Sequence, residues 1–221
     1  MIDSIVMYPL NSMTLKPGLN ILGFKLPSLL FKFTEGLQGN NEDVVLGEGD
    51  EAISSIVKKV LYVGDCADSI DYDALFQKAA IKRILDGFDP DRLTRILILQ
   101  SELKTIIQDE IWSDDLPLAI SSSLDLKSAV SMAKPCIDAS SVGSLFDKIQ
   151  MVVDTAGALA ESRMLVTLHI TQYCDNDQLL YLHNDLLKRQ MQLLDLECCD
   201  TKVTLTEGRS YYVDEDYVQF S

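Results

Sequence analysis

A regular alternation of helical and apolar-strand patterns in the last third of the chain constrains its fold more than any other feature. Residues 145–160 have helical periodicity, and residues 164–170 form an apolar run. Asp175 and Gln178 then resemble a capping box that starts a helix reaching residue 189, and strands are predicted at 192–196 and 211–220. Apolar strands joined through helices predict an α/β fold with a largely parallel sheet covered on both faces.

The first 70 residues are predicted to add short strands and one helix to this sheet. Strand patterns occur at 4–8, 13–15, 20–23 and 44–46, and a helix is predicted at 27–35. The apolar run from Val60 to Val63 ends at Gly64-Asp65. A continuous apolar run bounded by turn residues predicts a buried central strand.

The middle of the chain changes to helical periodicity. One helix is predicted from residue 71 to Gly87, where the glycine ends it. A second helix is predicted to reach Trp112, with Asp89 as its N-cap and Pro90 at its first helical position. A third helix is predicted at 125–133. We therefore predict a core domain of residues 1–70 and 136–221, with a helical domain inserted at 71–135.

The charge of the chain does not by itself favour nucleic acid. Its 221 residues carry a net charge of −15, whereas affinity for phosphate depends on clustered Lys and Arg. The first residues have no basic stretch followed by a long apolar core, so we expect a cytoplasmic protein without a signal peptide or membrane span. The five cysteines have no metal-ligand spacing and are predicted to be free, mostly buried thiols.

Residues 19–28 stand where a phosphate-binding loop would stand, after an early strand and before a helix. Such a loop needs glycines whose N–H groups wrap the phosphate, followed by Lys and Ser or Thr. Here Pro27 removes a donor, and Lys25 and Ser28 are misplaced for that pattern. An ordinary strand-to-helix turn is therefore favoured, and binding of a nucleotide is left as an alternative.

Acidic residues gather at the end of the second predicted helix. Glu110, Asp114 and Asp115 lie there with Asp109, and Asp125 follows a little further on. The spacing is not that of an EF-hand, and a solvated helix end is one interpretation. Because acids at a helix C-terminus oppose the helix dipole, a bound cation is the other.

The remaining titratable residues do not form a catalytic constellation. His169 falls inside an apolar run and is predicted to lie in the core, whereas His183 is predicted to lie on a helix surface. No Ser or Cys stands in a nucleophile-elbow context. Basic residues gather locally, and they would either pair with nearby acids or face DNA in an assembly; they are Lys58 and Lys59, Lys78, Lys82 and Arg83, Arg92 and Arg95, and Lys127 and Lys134.

The order of these features resembles one family along nearly the whole chain, the short-form adaptation protein of type II-A CRISPR systems. The matching strings in the front half are Tyr8-Pro9-Leu10 and the run from Val60 to Asp65. In the back half they are Arg163-Met164-Leu165-Val166 and the tail from Tyr212 to Tyr217, which is the most specific single string.

This resemblance implies a degenerate P-loop NTPase-like α/β domain with a helical domain, assembled as a homotetrameric ring. The ring would bind double-stranded DNA ends during spacer acquisition, without catalysis, beside the CRISPR integrase subunits and the type II effector nuclease. It implies calcium near the acidic loop, with Asp115, Asp125, Asp114 and Glu110 as candidate ligands. The candidates for the DNA surface are Lys127 and Lys134, followed by Lys78, Lys82 and Arg83. A protein-interaction scaffold with little DNA affinity is the alternative.

Overall fold

The computed structural model of the chain describes residues 1–120 and 125–221. Its internal contacts divide the chain into two compact units, Met1–Leu75 with Ala139–Ser221, and Phe76–Asp138. We call the first the core unit and the second the helical unit. The boundaries expected from the sequence are 70/71 and 135/136.

The chain contains ten strands and six α-helices within the described residues, and four of the helices follow one another between the sixth and seventh strands. The strands are β1 (Ser4–Met7), β2 (Met13–Thr14), β3 (Gly18–Phe24), β4 (Val44–Glu48), β5 (Glu51–Ala52), β6 (Val60–Asp65), β7 (Met164–Leu168), β8 (Gln192–Cys198), β9 (Arg209–Val213) and β10 (Gln219–Phe220). The α-helices are α1 (Pro27–Gln38), α2 (Tyr72–Asp86), α3 (Pro90–Ser113), α4 (Leu126–Met132), α5 (Leu145–Ala158) and α6 (Asn176–Lys188). Single 3₁₀ turns precede β6, at Ile56–Lys58, and follow β7, at Ile170–Gln172.

A six-stranded, mostly parallel sheet forms the centre of the core unit. Its order is β10-β9-β3-β8-β7-β6, and the pairs β9/β3, β3/β8, β8/β7 and β7/β6 are parallel, whereas β10 runs antiparallel to β9. β3 is buried along its whole length and β8 along all but its last residue, as expected for strands with helices on both faces. The α/β prediction is confirmed.

Two details of the strand prediction are wrong. The run from Val60 to Val63 forms β6 at the edge of the sheet, and only Val60 and Leu61 of this strand are buried. An apolar run indicates that the faces of a strand are covered, but it does not indicate how many other strands lie beside that strand. The tail is also two strands, because the Asp214 carboxylate accepts hydrogen bonds from the N–H groups of Asp216 and Val218 (2.9 and 2.8 Å) and reverses the chain.

A second sheet, antiparallel and four-stranded, has the order β2-β1-β4-β5. Helix α1 packs against strands of both sheets, since it contacts β3, β6 and β8 as well as β4. Phe33 of α1 is fully buried and lies against Phe24 of β3, with ring centroids 4.8 Å apart. Both sheets therefore share one hydrophobic core.

Helix α6 packs on β3 and β8 and contacts α5. Its start follows the sequence prediction, because Asp175 and Gln178 form a reciprocal capping box. Gly18, at the start of β3, has a positive φ of 89°, and a Cβ there would lie 2.7 Å from the ring of His183 on α6. Glycine is therefore required at this close approach of strand and helix.

The helical unit contains α3, α4 and most of α2. Helix α3 begins as predicted, with the Asp89 carboxylate accepting from the N–H of Arg92 (2.8 Å) and with Pro90 in the first turn. Gln100 of α3 donates to the carbonyl of Asp125 (3.1 Å), at the start of α4. Within the described residues, no helix is long and apolar enough to cross a lipid bilayer.

Candidate nucleic-acid interface

The turn between β3 and α1 has no room to wrap a phosphate. It consists of Lys25 and Leu26 alone, and no side chain caps the helix, which starts with Pro27. The Lys25 N–H donates to the carbonyl of Val213 (2.8 Å), so this donor is also occupied. The predicted strand-to-helix turn is confirmed, because only two residues join β3 to α1.

The Lys25 amine is held by acids rather than free for a ligand. Its Nζ lies 3.5 Å from the carboxylates of both Glu215 and Asp200. The charge of Glu215 and the hydrogen bond to Asp200 raise the pKa of Lys25 above its usual value. A nucleotide phosphate would have to displace these carboxylates.

The carboxyl end of the parallel sheet contains a small polar cluster. The Asp65 carboxylate, at the end of β6, lies 3.0 Å from Nδ1 of His169 and accepts a hydrogen bond from the Tyr173 hydroxyl (2.9 Å). Burial acts to raise the pKa of Asp65, but the hydrogen bonds from His169, the Ala67 N–H and Tyr173 outweigh it, so the net pKa lies below its usual value. Burial and the hydrogen bond to Asp65 raise the pKa of Tyr173 to about 12.

This cluster corrects the prediction for His169. His169 follows β7 in the left-handed region (φ 62°) and is half-buried rather than a core residue. The neighbouring thiols Cys66 and Cys174 are buried, and burial raises their pKa values to about 12 and about 11. The thiolate is the reactive form of cysteine, and these raised pKa values favour the protonated thiol near neutral pH.

Two acids in the central strand β8 were not singled out from the sequence. Asp195 and Glu197 are buried and lie two residues apart, on one face of the strand. Asp195 accepts from the Thr167 hydroxyl (2.9 Å) and the Ile170 N–H (3.3 Å), and Glu197 accepts from the Thr171 N–H (2.8 Å). They anchor the turn after β7. The signal available in the sequence is the pair of acids inside an apolar strand, Leu193 to Glu197.

The structure also corrects the prediction for His183, which is buried rather than on a helix surface. Its Nδ1 accepts a hydrogen bond from the N–H of Leu19 (3.1 Å), and burial lowers its pKa. Because its neutral imidazole accepts a backbone hydrogen bond from the start of β3, we assign His183 a structural role.

The basic candidates for a DNA surface lie on the helical unit. Lys78, Lys82 and Arg83 project from α2, Lys127 lies on α4, and Lys134 follows α4 with a positive φ of 47°. All five are exposed, and none forms a salt bridge with an acid in the part of the chain that the structure describes.

Other basic residues behave as surface ion pairs. Lys59 binds Glu48 (2.6 Å) and Arg92 lies 3.3 Å from Asp89. The helical unit also carries little of the chain's charge, since residues 76–138 contain eight basic and ten acidic residues, a net charge of −2 out of −15. A phosphate backbone would therefore meet less electrostatic repulsion at the helical unit than at the core unit.

The acidic candidates for calcium are not brought together into one site. Asp114 ends α3, Asp115 follows it in the left-handed region, and Asp125 is the N-cap of α4. The carboxylate of Asp125 accepts from the N–H of Lys127 (3.0 Å) and from the N–H and hydroxyl of Ser128 (3.2 and 2.7 Å).

These hydrogen bonds matter for a metal because they occupy the oxygens that a cation would need. The hydrogen bond from the Ser128 hydroxyl is the largest cause of a lowered pKa for Asp125, and the charge of Lys127 is a smaller one. Across residues 1–120 and 125–221, no group of three or more His, Cys, Asp or Glu side chains is arranged to hold a metal ion. The residues thus do not fit a calcium ion in this arrangement, and calcium binding stays a prediction.

Comparisons with known proteins identify the family. The structure is similar to the crystal structure of Stu0660 of Streptococcus thermophilus, with a TM-score of 0.59 over 97% of this chain and 74% of that one, at 10% sequence identity. At this identity the likeness concerns the fold alone. No curated protein matches the chain. The family model described as CRISPR-associated protein (Cas_Csn2) matches residues 65–217, more than half of the sequence. The chain therefore belongs to the Cas_Csn2 family of CRISPR-associated proteins.

Proposed function

We propose that this protein binds the ends of double-stranded DNA as a homotetrameric ring during the acquisition of CRISPR spacers. Membership of the Cas_Csn2 family implies a role in CRISPR adaptation. The observation that carries the DNA part is the set of exposed basic side chains on the helical unit that form no salt bridge with an acid among the described residues, Lys78, Lys82, Arg83, Lys127 and Lys134.

Binding of this kind depends on phosphate contacts and not on base recognition. A chain with a net charge of −15 attracts DNA only where several basic groups act together, and a ring brings the basic groups of several subunits to one central space. The closed ring then selects for ends, because a duplex without ends cannot thread through it. The CRISPR integrase subunits and the type II effector nuclease are the proposed partners in adaptation.

The proposed function is non-catalytic. The proposed origin of the core unit is a P-loop NTPase-like domain that has lost its phosphate-binding loop, and the two-residue turn at Lys25 and Leu26 supports this. The buried thiols of Cys66 and Cys174, whose pKa values are raised to about 12 and about 11, argue against a nucleophile at these two positions. The alternative of a nucleotide-binding protein predicts a rise in melting temperature with ATP or GTP, which we do not expect.

The decisive test compares linear duplex DNA with a covalently closed circle of the same sequence in gel-shift titrations at low salt. Light scattering on the same preparation gives the mass of the particle. We expect a tetramer that shifts the linear duplex at least about tenfold more tightly than the circle. Equal binding of both forms, or a monomer that binds neither, would refute the threading ring.

The same titration with calcium or with a chelator tests the metal prediction separately. In the described residues the acidic candidates Asp114, Asp115 and Asp125 do not converge, so calcium would need a different arrangement of this loop. A calcium-dependent increase in DNA binding or in particle mass supports the prediction. Equal results with chelator contradict it without affecting the ring.

The strongly acidic charge favours a second candidate function, that of a protein-interaction scaffold within the adaptation machinery. A scaffold predicts binding to the integrase subunits in pull-down experiments at salt concentrations where no DNA shift occurs. A ring that binds DNA ends predicts that the DNA shift persists in the absence of any partner protein.

A further inference from the structure

His183 lies where β3, α6 and the loop before β9 meet. Its Nδ1 accepts a hydrogen bond from the N–H of Leu19 (3.1 Å), so the neutral ring carries its proton on Nε2. That second nitrogen lies 4.0 Å from a carboxylate oxygen of Glu207, which is too long for a hydrogen bond. The ring therefore has one hydrogen-bond partner on β3 and one acid nearby on the loop.

Protonation of the ring is incompatible with the hydrogen bond to Leu19. An imidazolium carries an N–H on both nitrogens, so it has no lone pair with which to accept. Two donors would then face each other at a side chain that is only 8% exposed. Burial lowers the pKa of His183, and the charge of Glu207 opposes this effect. Across all the described elements that pack against the ring, Glu207 is the one charged group that acts on it.

Regular secondary structure encloses the ring on two sides. A Cβ at Gly18 of β3 would lie 2.7 Å from the ring and 3.3 Å from Leu187 of α6. β3 is paired with β8 on one side and β9 on the other, and α6 packs on β3 and β8. Leu182 and Leu186 of α6 are fully buried. Neither element can move aside for a ring that turns without breaking this packing.

A loop without secondary structure borders the ring on the third side. It consists of residues 200–208, which we call the β8–β9 loop. A Cβ at Gly208 would lie 3.4 Å from Nδ1 of His183 and 2.8 Å from the carbonyl of Leu19. Within the described part of the chain, this loop forms no hydrogen bond from backbone to backbone, and most of it is exposed. Segments of this kind open at the lowest free energy.

We propose that His183 is an acid-sensitive anchor that holds the β8–β9 loop against the start of β3. The neutral ring binds Leu19 and leaves the loop closed. When Nδ1 takes a proton from water, the hydrogen bond to Leu19 is lost and the ring turns toward Glu207, which displaces the loop at Gly208. The inference goes beyond the proposed function and does not depend on DNA binding or on assembly.

The sign of the pH dependence follows from the burial of the ring. Because the pKa of His183 is lowered on folding, its contribution to stability is fully present above the pKa of the unfolded chain, near 6.5. The contribution is lost as pH falls through the folded pKa. The loop is therefore closed at neutral pH and opens on acidification.

Hydrogen exchange of the full chain, followed by mass spectrometry at about pH 7.5 and about pH 5, measures the loss of this anchor. Each rate is normalised to the intrinsic rate of the unfolded chain at the same pH. We expect the protection of the peptide that contains Leu19 to fall at least about fivefold at the lower pH, whereas that of β7 stays the same. A glutamyl endopeptidase should also cut after Glu207 at least about fivefold faster, relative to its cut after the exposed Glu42.

Three variants assign the effect to His183. His183→Gln keeps an oxygen that can accept from Leu19 but does not titrate, so the protection of Leu19 should be equal at both pH values. His169→Gln is the matched control, because His169 is the other histidine of the chain, and it should show the full fall. Glu207→Gln removes the charge that favours the imidazolium, so the fall should begin at a lower pH.

Equal protection of Leu19 at both pH values in the wild type overturns the inference. A fall that persists in His183→Gln, or that disappears in His169→Gln, overturns it as well. If His183→Gln does not fold, Glu207→Gln decides the question, because the Glu207 side chain is 56% exposed and its replacement leaves the packing intact. An unchanged pH dependence in that variant contradicts the anchor.

Discussion

Asp195 and Glu197 form a buried acidic pair on one face of β8, the most central strand with β3. Burial raises the pKa of Asp195 well above its usual value, and the charge of Glu197 adds to this effect. The Oδ2 oxygen of Asp195 accepts no hydrogen bond from the residues that the structure describes. A protonated Asp195 can instead donate to Glu197, so the folded state favours the neutral form.

This pair makes stability depend on pH. Because the pKa of Asp195 is raised on folding, its contribution is fully present below the pKa of the unfolded chain, near 4, and is lost as pH rises through the folded pKa. An Asn at this position can accept from Thr167 and donate to Glu197 without a charge. We therefore predict that Asp195→Asn gains stability relative to the wild type as pH rises from 5 to 8.

Urea unfolding at both pH values measures this difference. Asp50→Asn, at an exposed position, is the matched control and should give the same difference from wild type at both pH values. A pH-independent difference between Asp195→Asn and the wild type would contradict a protonated Asp195 in the folded state.

At the scale of elements, the packing of β3 against α6 depends on a position without a side chain. Gly18 has a positive φ, and the His183 ring and Leu187 lie 2.7 and 3.3 Å from where a Cβ would be. His183 in turn accepts the N–H of Leu19. An added methyl group would strain the backbone and push the histidine away from its donor.

We predict that Gly18→Ala lowers the free energy of unfolding by about 2–4 kcal/mol. Gly49→Ala is the matched control, because Gly49 also has a positive φ, of 64°, but has nothing within 4 Å of its added Cβ. The free energy of unfolding of that variant should fall only by the cost of the strained backbone, about 1 kcal/mol. Equal losses in chemical unfolding would show that the contact with His183 is not required.

At the scale of the whole molecule, the distribution of charge matters more than its sum. The helical unit has a net charge of −2, so the remaining 158 residues carry −13. DNA approaching the protein is repelled less by the helical unit than by the core unit, and repulsion over more than about 10 Å is screened at ordinary salt. In the proposed function, the exposed lysines of the helical unit then decide where DNA binds.

We predict that the double variant Lys127→Gln/Lys134→Gln weakens DNA binding and lowers the slope of log affinity against log salt by roughly 0.9 for each phosphate that the variant no longer neutralises. Fluorescence anisotropy with a linear duplex over a range of salt concentrations measures both. Lys32→Gln/Lys202→Gln removes the same charge from exposed positions of the core unit. Equal effects of the two double variants would mean that net charge alone sets the affinity.

Local signals in the sequence predicted the elements well. The caps at Asp89 and Asp175, the stop at Gly87 and the apolar runs of β3, β7 and β8 each depend on residues within a few positions of one another. The family resemblance came from the order of these elements along the chain, and the family model confirms it over residues 65–217. The same signals predicted a turn without a phosphate-binding loop.

What the tertiary structure alone decided is which distant residues meet. The edge position of β6 depends on strand pairing, the burial of His183 depends on the close approach that Gly18 permits, and the raised pKa of Asp195 depends above all on its burial inside the folded core unit. The exposure of Leu99, Leu103 and Ile106 on α3 likewise could not be predicted, because periodicity shows that a helix has an apolar face but not what covers it. Sequence patterns report short-range preferences, whereas each of these features is set by contacts between residues far apart in the chain.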